Sequence, residues 1–536
     1  MTAPFPFHNT SALTPYQGTW DLLRAGHLLR RTLFGPDQRQ ISWAVSHGMK
    51  ATINTLLTNR EMPAPPLHYK GDHEPQVSIG KTWISAPYQE NIHVTQMARR
   101  SRSLFAWNMG LILDDAISIR EKMVLFWHNH FALRAIEDPR YLYRFTTTIR
   151  QHATGNFRAL IRAMTIDPSM LVFLNGNRNH QEAPNENYAR ELLELFTLGK
   201  GELAGPGDYT NYTEQDVKAL ARSLTGWQDI GFLATKVGQN PEAQFIPDRH
   251  DRESKQLSHR LNHQVILDQG MNEYQEVLEM LLDHPATAVN LCSRLYRWFV
   301  DAHIDEQTQQ EVIQPLADIL RNSDYELTPT LQALFQSSHF YQINVMGTML
   351  KNPLDLLTSL VRPLSITIPL PLSQRYDAWY RLFDLVRGLQ MDWYELPQVA
   401  GWDAYYRAPL YYRHWLNAAT LSPRMELVQR FLEEGYPAFE GNGPRMLLSP
   451  ERLLDRSDWS EEAVLFTENI TKILLPVPLS STSIFELSRL LDGSRDSLTW
   501  KQLINHDDQE SILVILKERI GIIVKKLTTL PEFQLT

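Results

Sequence analysis

Apolar residues recur at three- and four-residue intervals along most of the chain, as in Leu22, Leu23, His27, Leu28 and Leu29, or Val277, Leu278, Leu281 and Leu282. That spacing lines one face of an α-helix. The two-residue alternation of half-buried strands is rare. Prolines gather between the periodic segments, at Pro63 to Pro66, Pro353, Pro363 and Pro369 to Pro371, where a fixed φ and a missing amide end a helix rather than interrupt it. The pattern predicts an all-α fold: a multi-helix globular array with long Pro-rich connecting loops and little or no sheet. Between Gln228 and Gln269 the periodicity lapses into a polar stretch with Gly231, Gly238, Pro241, Pro247, His250, His259 and His263, too long for an ordinary connector. This divides the chain into an N-terminal helical part, 1–228, a long irregular His-containing loop, 229–269, and a C-terminal helical part, 270–536. Within the first part, Met123, Val124, Leu125, Phe126, Trp127 and Phe131 make one segment apolar almost all round. Such a segment is buried, and it takes His128 and His130 with it.

Composition sharpens this picture. With 536 residues, 43% hydrophobic and 21% charged, the chain can bury a large core and does not have the balance of a disordered one. The net charge of -9, from 61 acidic and 52 basic side chains, and the scatter of those basic residues argue against a nucleic-acid partner. The densest basic run, Arg99, Arg100 and Arg102, reads as a solvated helix face. Cys292 is the only cysteine, so one chain can form no disulfide. Its apolar neighbours Val289, Leu291 and Leu295 predict a buried, inert thiol. Met1 to Gly18 lacks the basic start and apolar stretch of a secretory leader, which points to the cytoplasm for the sequence as given and to export if it is a mature chain. No window approaches 18 uninterrupted apolar residues, so no membrane span is expected. A phosphate-binding Gly-rich loop, a dinucleotide fingerprint and a Gly-x-Ser-x-Gly elbow are also missing.

Several segments together resemble one bacterial family, catalogued as domain of unknown function 1800. These are His27-Leu28-Leu29-Arg30-Arg31 with Phe34-Gly35-Pro36, Phe126-Trp127-His128-Asn129-His130-Phe131, the run from Pro184 to Gly199, Tyr212 to Val217, Ala221 to Trp227, His250-Asp251, His284 to Ala288, Lys351-Asn352-Pro353 and Gly401-Trp402. The resemblance covers nearly the whole chain. It departs after His250-Asp251, where relatives carry a glycine-containing turn and this chain has Gln256-Leu257-Ser258-His259. The resemblance brings no established activity or cofactor. It implies frequent export and a partner similar to the alkaline phosphatase and sulfatase superfamily.

The candidate chemistry lies in these segments. A helix from Asn185 to Leu198 places Asn187, Arg190, Glu191 and Glu194 on one face, with Asn185 as N-cap and Glu186 complementing the dipole. Glu191 and Glu194, three residues apart, project together and could act as metal ligands or a general base, while Arg190 at four-residue spacing from Glu194 offers an ion pair. His128 and His130, two positions apart, point about 200° from each other and cannot share an ion on a regular helix. His250-Asp251 puts an imidazole beside a carboxylate, and His259 with His263 reads as a surface pair. Eight aromatic side chains between Trp393 and Trp415 could stack on a glycan, but their setting near Pro397 and Pro409 favours packing a loop against the core.

Two readings stay open. In the first, an enzyme uses Glu191, Glu194, Arg190, His250 and Asp251 for catalysis and His128, His130 and Glu191 to hold a divalent metal, for metal-assisted hydrolysis or oxidation. In the second, a non-catalytic helical scaffold binds a partner protein or glycan, and the same residues form a buried network that fixes helix packing.

Overall fold

The computed structural model describes residues 12–114, 116–439, 444–453, 459–493, 498–506, 508 and 512–536. Residues 1–11 of the segment read for a leader therefore lie outside the described residues. The fold is all-α, as the periodicity predicts. Helices follow one another from Leu22–Thr32 to Leu513–Thr528, and the sheet among the described residues amounts to four antiparallel strand pairs.

Helix starts follow a recurring local rule. Asp138, Asp167, His284 and Asn352 each cap a helix whose next residue is a proline, at Pro139, Pro168, Pro285 and Pro353. The cap side chain accepts from a first-turn amide, and proline lacks only an amide that had no helical partner anyway. Pro353 thus opens a helix, where its position between apolar runs suggested a helix end.

Early and late elements pack together in one core. Leu22–Thr32, buried from Ala25 to Thr32, lies against Gln38–Leu57 and against Ala463–Leu474, while His93–Ile112 runs along Leu372–Gly388. The helix Arg120–His130 is buried from Lys122 to His130, around the apolar run from Met123 to Trp127. Cys292 is fully buried, which pushes its thiol up, so it is inert as expected. Among the described residues no helix is long and apolar enough to cross a membrane.

Two expectations are corrected. The stretch 229–269 is not an irregular loop: Trp227–Ile230 pairs with Glu242–Phe245, Lys255–Gln256 pairs with Val265–Ile266, and Leu257, Leu261 and Ile266 are buried. The hairpin strands are only two to four residues long, too short for period-two alternation to register. The basic run is not a solvated face either. Arg100 is 1% exposed, its Nε and Nη2 donating to the two oxygens of Glu74 at 2.6 and 2.8 Å, and Arg102 reaches Asp377 at 3.3 Å.

Candidate functional site

The predicted residues fall into separate places. The segment from Asn185 begins as foreseen, with Asn185 capping the amide of Asn187, but only Glu186–Glu191 is α-helical; Leu192–Phe196 is a π-turn. Such turns insert a residue, rotate the side chains beyond them and often mark functional sites. Arg190 does not pair with Glu194. Its Nη1 and Nη2 grip Glu214 at 2.6 and 2.7 Å, and Nη2 reaches back to Glu186 at 3.2 Å. Glu194 instead accepts from the Tyr212 hydroxyl at 3.0 Å and faces Lys200 at 3.4 Å.

Glu191 is half-buried, and that burial, with the neighbouring Glu194 charge, raises its pKa to about 7. A carboxyl raised in the folded state is held protonated there. Its contribution to stability is complete below the unfolded value near 4.5 and is lost as pH rises through about 7. Between pH 5 and 8 the wild-type Tm is expected to fall more steeply than that of Glu191→Gln, and parallel Tm profiles for the two would reject the shifted carboxyl.

The two buried histidines are neutral and face different neighbourhoods. His128 lies among Phe145, Trp393, Tyr394 and Trp402, with ring centroids 5.1 to 6.2 Å away, neither ring nitrogen has a partner among the described residues, and burial brings its pKa down to about 3. His130 Nε2 lies 3.3 Å from the carbonyl of Phe196, at the end of the π-turn, and caps that carbonyl. His128, His130 and Glu191 are not gathered as ligands of one ion: among the described residues the three-ligand grouping is His250, Asp268 and Glu273. Trp393, Tyr394, Trp402 and Trp415 are buried, so half of the eight aromatic side chains pack inward, while Tyr405, Tyr406, Tyr411 and Tyr412 are partly buried. His259 and His263 sit on a short 3-10 turn and the residues after it, with ring centroids 6.4 Å apart and His259 exposed.

His250-Asp251 becomes the centre of a buried cluster, and the segment Ala221 to Trp227 builds it. Arg222 grips Asp251 with Nε and Nη2 at 2.6 and 3.0 Å, while the Thr225 hydroxyl accepts from the Asp251 amide at 2.8 Å. Gly226 has φ +93°, and a Cβ there would stand 2.9 Å from the Phe245 ring and 3.1 Å from the His250 Cβ, so only glycine admits the imidazole. The Thr225 carbonyl lies 3.0 Å from His250 Nδ1, which donates to it. Nε2 then faces Glu273 Oε2 at 3.1 Å and Asp268 Oδ1 at 3.7 Å. Burial opposes a charge on His250, but hydrogen bonds to Glu273 and the Thr225 carbonyl and the Glu273 charge overcome it, raising the pKa. Glu273 and Lys255 are both 0% exposed, with Lys255 Nζ 2.6 Å from Glu273 Oε1 and 2.5 Å from the Asp251 carbonyl. Asp268, at 41% side-chain exposure, is the face of the cluster open to solvent.

The structure keeps this cluster apart from Glu191 and Glu194. Arg190 holds Glu214 at one end of the helix Glu214–Ser223, and Arg222 holds Asp251 near its other end. Eight residues at a 1.5 Å rise put those pairs roughly 12 Å apart. Sequence reasoning missed Lys255, Asp268 and Glu273. Glu273 opens a helix, where an acidic residue is explained by the dipole alone, and nothing local marks Lys255 or Asp268.

The fold and this cluster define a multi-helix protein with a buried imidazole, carboxylate and ammonium centre bound to a signature turn. The chain belongs to the family described as protein of unknown function, DUF1800, whose profile matches residues 27–535. No curated protein and no solved structure matches it.

Proposed function

We propose that the protein is a metal-dependent enzyme of hydrolytic type, with His250 Nε2, Asp268 and Glu273 Oε2 holding a divalent cation. The observation that carries this is the ligand geometry: the three donor atoms lie within 4.8 Å of one another, and the other imidazole nitrogen is committed to a backbone carbonyl. Metal-binding histidines are oriented in this way. The cation takes the place of the Nε2 proton. Glu273 keeps Oε1 on Lys255 while giving Oε2, and Arg222 holds Asp251, which fixes the turn carrying His250. Asp268 leaves the open side needed for water and substrate. A divalent cation in such a site acidifies water and polarises a substrate carbonyl or phosphoryl oxygen.

Elemental analysis after dialysis against zinc or manganese should give one equivalent per chain in the wild type and none in His250→Ala or Asp268→Asn, with circular dichroism unchanged. Lys255→Met should bind more tightly, because a competing cation is gone. A specific observation favours a second reading, the structural clasp: Lys255 already neutralises Glu273 with both fully buried. Under that reading no variant changes the metal content and Lys255→Met only lowers Tm.

A further inference from the structure

The helix Leu513–Thr528 turns apolar side chains toward solvent. Val514, Ile515 and Ile522 are 73%, 38% and 41% exposed. At 100° per residue Val514, Glu518 and Lys525 fall within about 40° of one another, with Gly521 flanking them on one side and Ile522 on the other. A groove opens between the helix and the segment 447–451, lined by Leu432, Leu447, Leu448, Gly521 and Ile522. Gly521 is the odd residue of this face. Glycine is the poorest helix former after proline, and the usual reasons for keeping one are missing. The backbone there is helical, and a Cβ would meet no described atom within 4 Å beyond the backbone of its own helix. What glycine offers at this position is a flat place where a second helix can come close, since interaxial distance follows the side chains at the crossing.

The charges on this face are symmetric about that crossing point. Glu518 and Lys525 lie equally far from the midpoint between Gly521 and Ile522, each about 5 Å along the axis at 1.5 Å per residue. A copy of the helix laid antiparallel across its own midpoint therefore sets Glu518 of each copy against Lys525 of the other. The same two-fold brings Ile522 to Ile522 and Gly521 to Gly521. A parallel pairing would instead face Glu518 with Glu518, which is repulsive. Lys525 also holds Glu433 of its own chain, but an ammonium has three donors and can take a second carboxylate. Lys517 is held by Glu451 at 3.4 Å, whereas among the described residues no cation is ion-paired with Glu518. A two-fold interface uses one patch twice, so it requires this kind of self-complementarity. The occupant that the pattern fits is a second copy of this chain.

We propose that the outer face of the helix Leu513–Thr528 is a two-fold interface at which two copies of the chain pair antiparallel, crossing at Gly521 and Ile522. It uses no residue of the metal centre. One helix pair with its flanking groove falls short of the roughly 1,600 Å² of a standard interface, so the dimer is reversible, with a Kd on the order of 10 µM. The test is sedimentation equilibrium of the full chain from about 1 to about 200 µM. The mass should rise from 62.0 kDa toward twice that value. Glu518→Lys and Lys525→Glu, both at exposed positions, should each stay monomeric over that range, because like charges then meet at both ends of the crossing. An equimolar mixture of the two variants should dimerise as the wild type does, because both contacts are complementary again. Gly521→Leu should also be monomeric, with a Tm no lower than that of the wild type, since it fills the crossing with a better helix former. A wild type that stays at 62.0 kDa throughout, a dimer that the single charge reversals leave intact, or a mixture that stays monomeric overturns the proposal.

Discussion

Glu273→Ala is expected to lower the stability of the protein by about 3–5 kcal/mol, the cost of removing one partner from a buried ion pair. Lys255 and Glu273 are both 0% exposed and His250 is 2% exposed, so the variant leaves two groups that carry or accept a proton facing an apolar gap. Deleting the carboxylate also frees the helix Glu273–Asp283 from the turn at Thr225 and His250. Glu273→Gln keeps the volume and one acceptor for Lys255, so it should lose less. Urea unfolding of the three chains measures this. A loss below about 1 kcal/mol for Glu273→Ala would place the pair in the solvent-screened class and contradict the buried centre.

Glu74→Ala should cost a similar amount, again about 3–5 kcal/mol, at a residue that takes no part in the proposed metal centre. Arg100 is 1% exposed and spends Nε and one Nη on Glu74, while its other bonds go to the carbonyls of Ala86 and Pro87 and its guanidinium lies 4.3 Å from the centre of the Tyr88 ring. Gln96 adds a third bond to Glu74 at 3.1 Å. Without Glu74 the segment that folds over the helix His93–Ile112 is left around an unpaired guanidinium. Arg100→Met with Glu74→Leu, which removes both charges, should recover most of the loss. If the double variant is as unstable as Glu74→Ala, packing rather than charge explains the effect.

These two residues also show where sequence reading stops. Long-range periodicity located the helices, because burial of one face needs apolar residues at fixed spacing, and capping chemistry located the start at Asn185 because that interaction is local. Whether Arg100 is solvated depends on Glu74, which lies 26 positions earlier in the chain, and no helix-face argument contains it. The π-turn at Leu192–Phe196 escaped for a related reason: the inserted residue is set by the surrounding contacts, among them His130 on the Phe196 carbonyl and Asn290 on that of Thr197. That insertion leaves Arg190 on Glu214 rather than Glu194. The candidate site was legible in half. His250, Asp251, Arg222 and Thr225 lie in segments marked by family resemblance, whereas Lys255, Asp268 and Glu273 join them only through the hairpin that forms from a polar, Gly- and Pro-containing stretch. His128 and His130 were correctly read as buried, yet burial left them neutral among aromatic rings and not within reach of Glu191 as ligands.

The most direct measurement is anomalous diffraction at the zinc edge from crystals soaked in zinc. The account predicts a single peak about 2.0–2.2 Å from His250 Nε2, an Asp268 oxygen and Glu273 Oε2, with Lys255 still on Glu273 Oε1. Density with no peak there, and with the Nε2 of His250 still hydrogen-bonded to Glu273, would contradict it.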